Sequence, residues 1–339
     1  MIKPFNNSQV AVQSWYVIAL SKELKRGTAL SRSFLDRKVA VFRGADGVVR
    51  ALDGRCPHLG ANLGLGAVVE NNLRCAFHHW SFAGNGRCAG IPYMDSPPHF
   101  ARTFSYPAEE KYGAVWIFNG PKPLFPIPYF SARREKELYC GILKPQTLSC
   151  HPHVITANGL DVQHFKTVHE LEFVREPILE TPDNFRVQLR MEIRLNSQHL
   201  FERVLGVIAG ESLPVVFTTW GGNLATIEGR LGSIPLLVLF TQRPLAGGGS
   251  ASQTFLFAPA QHGIKRLMSL HRFLLFLGKI IMGYILIKDR RLIDELDFRD
   301  NLVKADAPLA AFIRQVDRMR VFDARDPAPL QLADRREAL

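Results

Sequence analysis

The stretch CPHLGANLGLGAVVENNLRCAFHHW, Cys56 to Trp80, decides the first half of the fold. It holds Cys56, His58, Cys75, His78 and His79. Cys56-x-His58 and Cys75-x-x-His78 form two ligand pairs separated by 16 residues. Each pair falls in a loop between expected strands, where two side chains can converge on one point. A Cys2His2 zinc finger keeps its cysteines in one pair and its histidines in the other. Here each pair is mixed. A cluster ligated by cysteine alone lacks its thiolates. Two plain buried thiols beside histidines would leave the matched spacing unexplained.

The remaining arrangement is a [2Fe–2S] centre in which two cysteines hold one iron and two histidines the other. Mixed pairs suit it, because each loop then supplies one ligand to each iron. Pro57, Gly60 and Gly64 suit tight backbone near the sulfurs, where amide N–H groups tune the potential. His78 keeps the ligand spacing and His79 is read as a neighbour. Cys88, Cys140 and Cys150 have no paired histidine and read as buried thiols. On these residues the sequence resembles the Rieske proteins, in their oxygenase branch. The respiratory branch carries an extra cysteine after each pair, and those positions here are Ala61 and Phe77. One departure is His79, where the family usually has glycine.

Around this stretch, residues 10–120 read as short strands and turns. VAVFRGADGVVRAL is a hairpin about Asp46-Gly47, SFAGNGRCAG another about Asn85-Gly86, and GAVWIFNG a final buried strand. GPKPLFPIPYF (Gly120–Phe130), with four prolines, marks a boundary. The expected domains are therefore 1–125 and 126–325, with a charged tail at 326–339. In the second domain, Val154–Glu172 reads as helical, Phe185–Pro259 as strands with a loop at Gly247–Gly249, and Gly263–Asp300 as helical.

A second cluster lies in NGLDVQHFKTVHE, Asn158 to Glu170. Asp161, His164 and His169 give D-x-x-H-x4-H. Two imidazoles and a carboxylate are the facial triad of non-haem iron oxygenases, which leaves positions open for O2. Histidines five apart on a regular helix are rotated by about 140°, so one iron requires local distortion such as a π-type bulge. Taken alone this spacing is weak. Resemblance strengthens it, because Rieske oxygenases carry the same N-x-x-D-x-x-H-x4-H pattern, matched by Asn158, Asp161, His164 and His169.

The carboxylate is sought in YILIKDRRLIDELDFRDN. At about 100° per residue, Met282, Ile285, Leu292, Ile293 and Leu296 fall within about 60° of Asp289. Asp289 is thus amid the apolar stripe, where a carboxylate is costly unless paired or metal-bound. It is the expected ligand, with Asp300 the runner-up. The family helix E-D-x-x-(apolar) agrees, although Lys288 replaces its preceding acid. The resemblance also implies a role for Asp161, bridging His164 to His78 of a neighbouring subunit. Helix capping is the plain alternative.

There are 42 Lys+Arg against 31 Asp+Glu in 339 residues, a net charge of +11. That bias favours acidic partners, yet no nucleic-acid-binding signature accompanies it, so nucleic acid is not expected. Five cysteines and no apolar leader point to a reducing cytoplasm rather than a disulfide framework. FLLFLGKIIMGYILI, interrupted by Lys279, is too short to span a bilayer. It reads as a core helix, with membrane docking as a minor alternative.

The resemblance implies the catalytic subunit of a Rieske non-haem iron oxygenase, of the monooxygenase and demethylase type. Its fold would be α+β: a β-sandwich Rieske domain, then an antiparallel sheet wrapped around a helix, assembled as a trimer. A separate NAD(P)H-driven reductase or ferredoxin would feed the [2Fe–2S] cluster, and O2 would be used at one mononuclear iron. The substrate would be a small, largely apolar molecule, hydroxylated, dealkylated, desaturated or cyclised. Two rivals remain open: an electron-transfer Rieske protein, and a non-catalytic ligand-binding module of the same fold.

Overall fold

The computed structural model describes residues 2–131, 135–195, 212–232, 234–260 and 270–325. They fall into two compact units. One comprises residues 8–124 with 243–247 and 320–325; the other comprises 2–7, 125–242 and 248–319. The change falls inside the proline-rich stretch, but the terminal pieces group differently from a simple division at 125. Residues 2–7 belong with the second unit, and 320–325 with the first. The expected tail at 326–339 lies outside the described residues.

The first unit is built from antiparallel strands. Ala29–Phe34, Arg37–Arg43, Val49–Asp53 and Ser105–Tyr106 form one sheet. Trp15–Leu20, Ala114–Phe118 and Ala108–Lys111 form another. Side chains alternate across a strand, and Arg37–Arg43 uses both faces. Val39 and Val41 enter a core with Tyr16, Phe34 and Ile117. Ala40 and Phe42 enter a second core with Leu52, Leu63, Leu73 and Phe82. Burial on both sides explains why VAVF is continuously apolar rather than alternating. The second core also contains Cys56 and Cys75.

The second unit is a nine-stranded antiparallel sheet. Its main path runs Leu138–Ile142, Ser250–Pro259, Ile234–Pro244, Leu224–Leu231, Leu213–Trp220, Arg186–Leu195, Leu171–Phe173. Helices α1 (Pro152–Asn158) and α2 (Val162–Thr167) precede most of it. Helices α3 (Leu270–Ile293) and α4 (Ala307–Asp317) follow. Helix α3 packs on the sheet through Leu275, Met282 and Leu286, against Val238 and Leu256. Each such apolar side chain, fully buried, contributes about 1.5–3 kcal/mol. The architecture is α+β, with a sheet gripping a helix.

Three expectations about helices are corrected. Val154–Glu172 is two short helices and the start of a strand. A Cβ at Gly159 would lie 2.1 Å from the Phe217 ring, so the chain turns there against the sheet. Helix α3 ends at Ile293, short of Asp300. Leu296 therefore lies beyond it, and Leu292 and Leu296 are exposed rather than part of the buried stripe. The expected start at Gly263 lies outside the described residues. Among the described residues, no helix is long and apolar enough to cross a membrane.

Candidate metal centres

The cluster loops of the first unit fold alike. In one, the Gly60 amide donates to the Cys56 carbonyl at 2.9 Å and the Cys56 amide to that of Ala61 at 2.9 Å. In the other, His79 donates to Cys75 at 3.1 Å and Cys75 to Trp80 at 2.8 Å. Gly60 and His79 thus hold equivalent positions. Both have positive φ, +77° and +59°. That region costs most side chains about 1–2 kcal/mol but is entered more readily by histidine than by branched residues. The departure from glycine at His79 therefore leaves the loop geometry intact.

The equivalence does not extend to the ligand histidines. His58 is two residues after its cysteine and His78 three. Their rings nonetheless meet, with centroids 4.7 Å apart. His58 stacks flat on Trp80 at 4.5 Å. Both cysteines are buried and both histidines exposed. Burial pushes the Cys56 thiol up to about 11, and the adjacent Cys75 thiol adds to it, while the His58 amide donates to the Cys56 sulfur. Two inward sulfurs beneath two outward imidazoles fit a [2Fe–2S] cluster with its histidine-held iron at the surface. Cys88 packs at the edge of the same core, its thiol donating to the Gly90 carbonyl at 3.5 Å.

The second centre lies wholly in the other unit. Asp161 caps α2, its Oδ1 accepting from the amides of Gln163 at 2.9 Å and His164 at 3.0 Å. His164 is inside α2, and His169 follows its last residue, Thr167. No π-type bulge is needed: the helix stops, and the chain swings His169 back across its end. Gln163 Nε2 donates to Asp306 at 2.7 Å and ties α2 to the start of α4.

The termini of these elements converge with α3. His164 Nε2 lies 3.1 Å from His169 Nε2 and 3.0 Å from Asp289 Oδ1. His169 Nε2 is 2.9 Å from the same oxygen. Metal–ligand bonds of about 2.1 Å at right angles place neighbouring donor atoms about 3.0 Å apart. The triangle therefore fits one face of a six-coordinate ion. Burial works to raise the Asp289 carboxyl, and hydrogen bonds from His164 and His169 outweigh it, holding it below the usual carboxylate range. Asn158, at the end of α1, brings Nδ2 to 3.2 Å from His164 Nε2. Asp300, the runner-up, is exposed and outside the group. Lys288, where the family has an acid, sets its ammonium 4.9 Å from the Tyr284 ring centroid.

Beside the triangle lies a cavity of about 280 Å³, with His169, Asp289 and Asn158 in its wall. The rest of the wall is mainly apolar, with Leu213, Val215 and Phe217 on one strand facing Met282 and Ile285 of α3. Sequence reading missed Gln242, also in this wall. It is 3% exposed, and its side-chain oxygen has no hydrogen-bond partner among the described residues. Its placement among apolar strand residues, in LFTQRPL, is the sole signal the sequence carries.

The family model described as "Rieske [2Fe-2S] domain" matches residues 14–107. The chain is a relative of the Rieske oxygenases. It is 35% identical to cholesterol 7-desaturase nvd of Bombyx mori, over 46% of this chain and 35% of that protein. The match thus spans about a third of the curated relative's length. Among solved structures, Pseudomonas putida CBB5 NdmA with caffeine has a TM-score of 0.65 at 21% identity, covering 89% of both chains. Dicamba monooxygenase bound to dicamba has a TM-score of 0.62 at 20% identity, covering 96% of this chain and 100% of that one. These two likenesses extend the Rieske oxygenase fold across both units.

Proposed function

We propose that the protein is the catalytic component of a Rieske oxygenase, acting with O2 on a largely apolar substrate. The observation that carries this reading is the triangle of His164, His169 and Asp289 opening on an apolar cavity. A protein that only relayed electrons would have no use for either. When bound, the cluster would supply electrons singly, and the mononuclear iron would supply open positions for O2. Cys56, His58, Cys75 and His78 would hold the first; His164, His169 and Asp289 would hold the second.

The chain's own residues then have separable tasks. Asp161 fixes His164 through the first turn of α2 and would bridge it to a cluster histidine of a neighbouring subunit in a homotrimer. Asn158 holds a polar group beside His164. The apolar wall excludes water and orients the substrate by shape. Electrons would come from a separate NAD(P)H-driven reductase or ferredoxin, which the basic net charge helps to dock if that partner is acidic. The sterol-desaturase relative and the apolar wall together support a substrate with extended hydrocarbon character.

The test combines metal analysis with labelled O2. Anaerobically loaded protein is expected to hold about three irons per chain, two in the cluster and one beside Asp289. With a reductase supplied, metabolite profiling under 18O2 should reveal a product that depends on the protein. Two irons alone, or zinc in their place, would overturn the reading.

Gln242 refines the substrate. A buried acceptor without a partner costs about 1–3 kcal/mol, which a ligand hydroxyl would relieve. Gln242→Leu is expected to keep all the iron and to erase about tenfold to hundredfold preference for a hydroxylated ligand over its deoxy counterpart. Competition binding of such a pair checks this, and an unchanged preference would exclude the contact.

A further inference from the structure

Helix α3 has a second face that the oxygenase reading does not use. Phe273, Phe276, Ile280 and Ile287 are 59%, 62%, 46% and 69% exposed. At about 100° per residue all four lie within about 60° of one another, so they form one stripe. It runs about 21 Å along the helix at about 1.5 Å per residue. Arg272 and Lys279 line one edge, both exposed, whereas Arg290, further along it, is paired with Asp294 at 3.1 Å. Lys288 stands on the other edge, over Tyr284. The acidic member of α3 is Asp289, which is turned inward to the histidines.

We propose that this face of α3 docks on an anionic lipid bilayer, with the helix lying along the surface. Large exposed apolar side chains in a continuous stripe mark an interaction site. An apolar stripe edged by Lys and Arg is the arrangement of helices that lie in the membrane interface, where the cations reach the headgroups while the rings enter the acyl boundary. The edge charges argue against a second copy of the chain as the occupant. An antiparallel two-fold contact through this stripe would bring the basic edges of the two helices together, and a parallel one would set them against Lys288 of the other copy. They also argue against an apolar protein groove without acidic rims. The opposite face of α3 carries Met282, Ile285 and Asp289 in the cavity wall. One helix would thus touch the bilayer on one side and the substrate cavity on the other, which suits an apolar substrate drawn from lipid.

The test is flotation of the iron-loaded protein with vesicles of phosphatidylcholine, with and without phosphatidylglycerol. Binding is expected to the anionic vesicles and to weaken as salt rises. The double variant F273E/F276E should weaken it at least about tenfold, since it removes apolar burial and adds charge. The variant R272E/K279E should abolish the preference for phosphatidylglycerol. These positions are exposed, so each variant should keep the cluster's absorption spectrum, which serves as the folding control. Equal partition of wild type and F273E/F276E, or no binding of wild type to either vesicle, would overturn the proposal. So would a change in sedimenting mass caused by F273E/F276E, which would assign the stripe to contact between copies. The readout is partition rather than turnover, so it stands apart from the oxygenase reading.

Discussion

His169→Ala is expected to leave the visible absorption of the cluster intact while product formation falls by on the order of a thousandfold or more. His169 lies beyond the last residue of α2 and supplies no cap to it, so the helix should survive the change. The triangle would not. Asp289 Oδ1 now stands 2.9 Å from His169 and 3.0 Å from His164. Without His169 the carboxylate keeps one imidazole, in a wall that is mainly apolar, and burial then works against its charge. Iron analysis should fall from about three to about two per chain. Unaltered turnover would mean that the histidines and Asp289 are a hydrogen-bonded cluster of structural use, and the ligand-binding rival would stand.

The second large effect concerns Asp161. Asparagine caps a helix about as well as aspartate, and the contacts at 2.9 and 3.0 Å to the amides of Gln163 and His164 use one side-chain oxygen. Asp161→Asn should therefore spare α2, the bound iron and the reducibility of the cluster. What it removes is the negative charge beside His164. Single-turnover product formation from fully reduced protein is expected to slow by on the order of tenfold to hundredfold, the usual cost of losing a partner that orients a metal ligand. Asp161→Ala is the control, because it also removes the cap and should lower thermal stability by about 1 kcal/mol. If the asparagine variant turned over normally and the alanine variant did not, Asp161 would be a helix cap and no more.

Much of the first centre was legible because its ligands lie within 25 residues and its loops are set by local hydrogen bonds. Even the departure at His79 becomes clear once its positive φ is known. The second centre was legible in part. Asp289 could be chosen from its place in the apolar stripe, since helix periodicity needs no tertiary information. The way His164 and His169 meet could not. A π-type bulge is a local solution to their spacing, whereas the chain ends α2 at Thr167 and carries His169 past that end, while the bond from Gln163 to Asp306 ties the start of α2 to distant sequence. Gln242 was invisible for the same reason. A glutamine in a strand declares its solitude only when its neighbours across the sheet are known.

The sequence by itself determined which atoms can serve chemistry here: two mixed Cys/His pairs, two histidines five apart, and one carboxylate on an apolar helix face. It did so because ligand spacing and helix periodicity are local properties of the chain. Tertiary structure alone decided that His164 and Asp289, 125 residues apart, share a hydrogen-bond distance. It also decided that Gln242 enters the cavity wall and that the Phe273 stripe of α3 is left outside the core. Those outcomes depend on which surfaces the sheet buries, and burial is a sum over distant partners that no short stretch of chain contains.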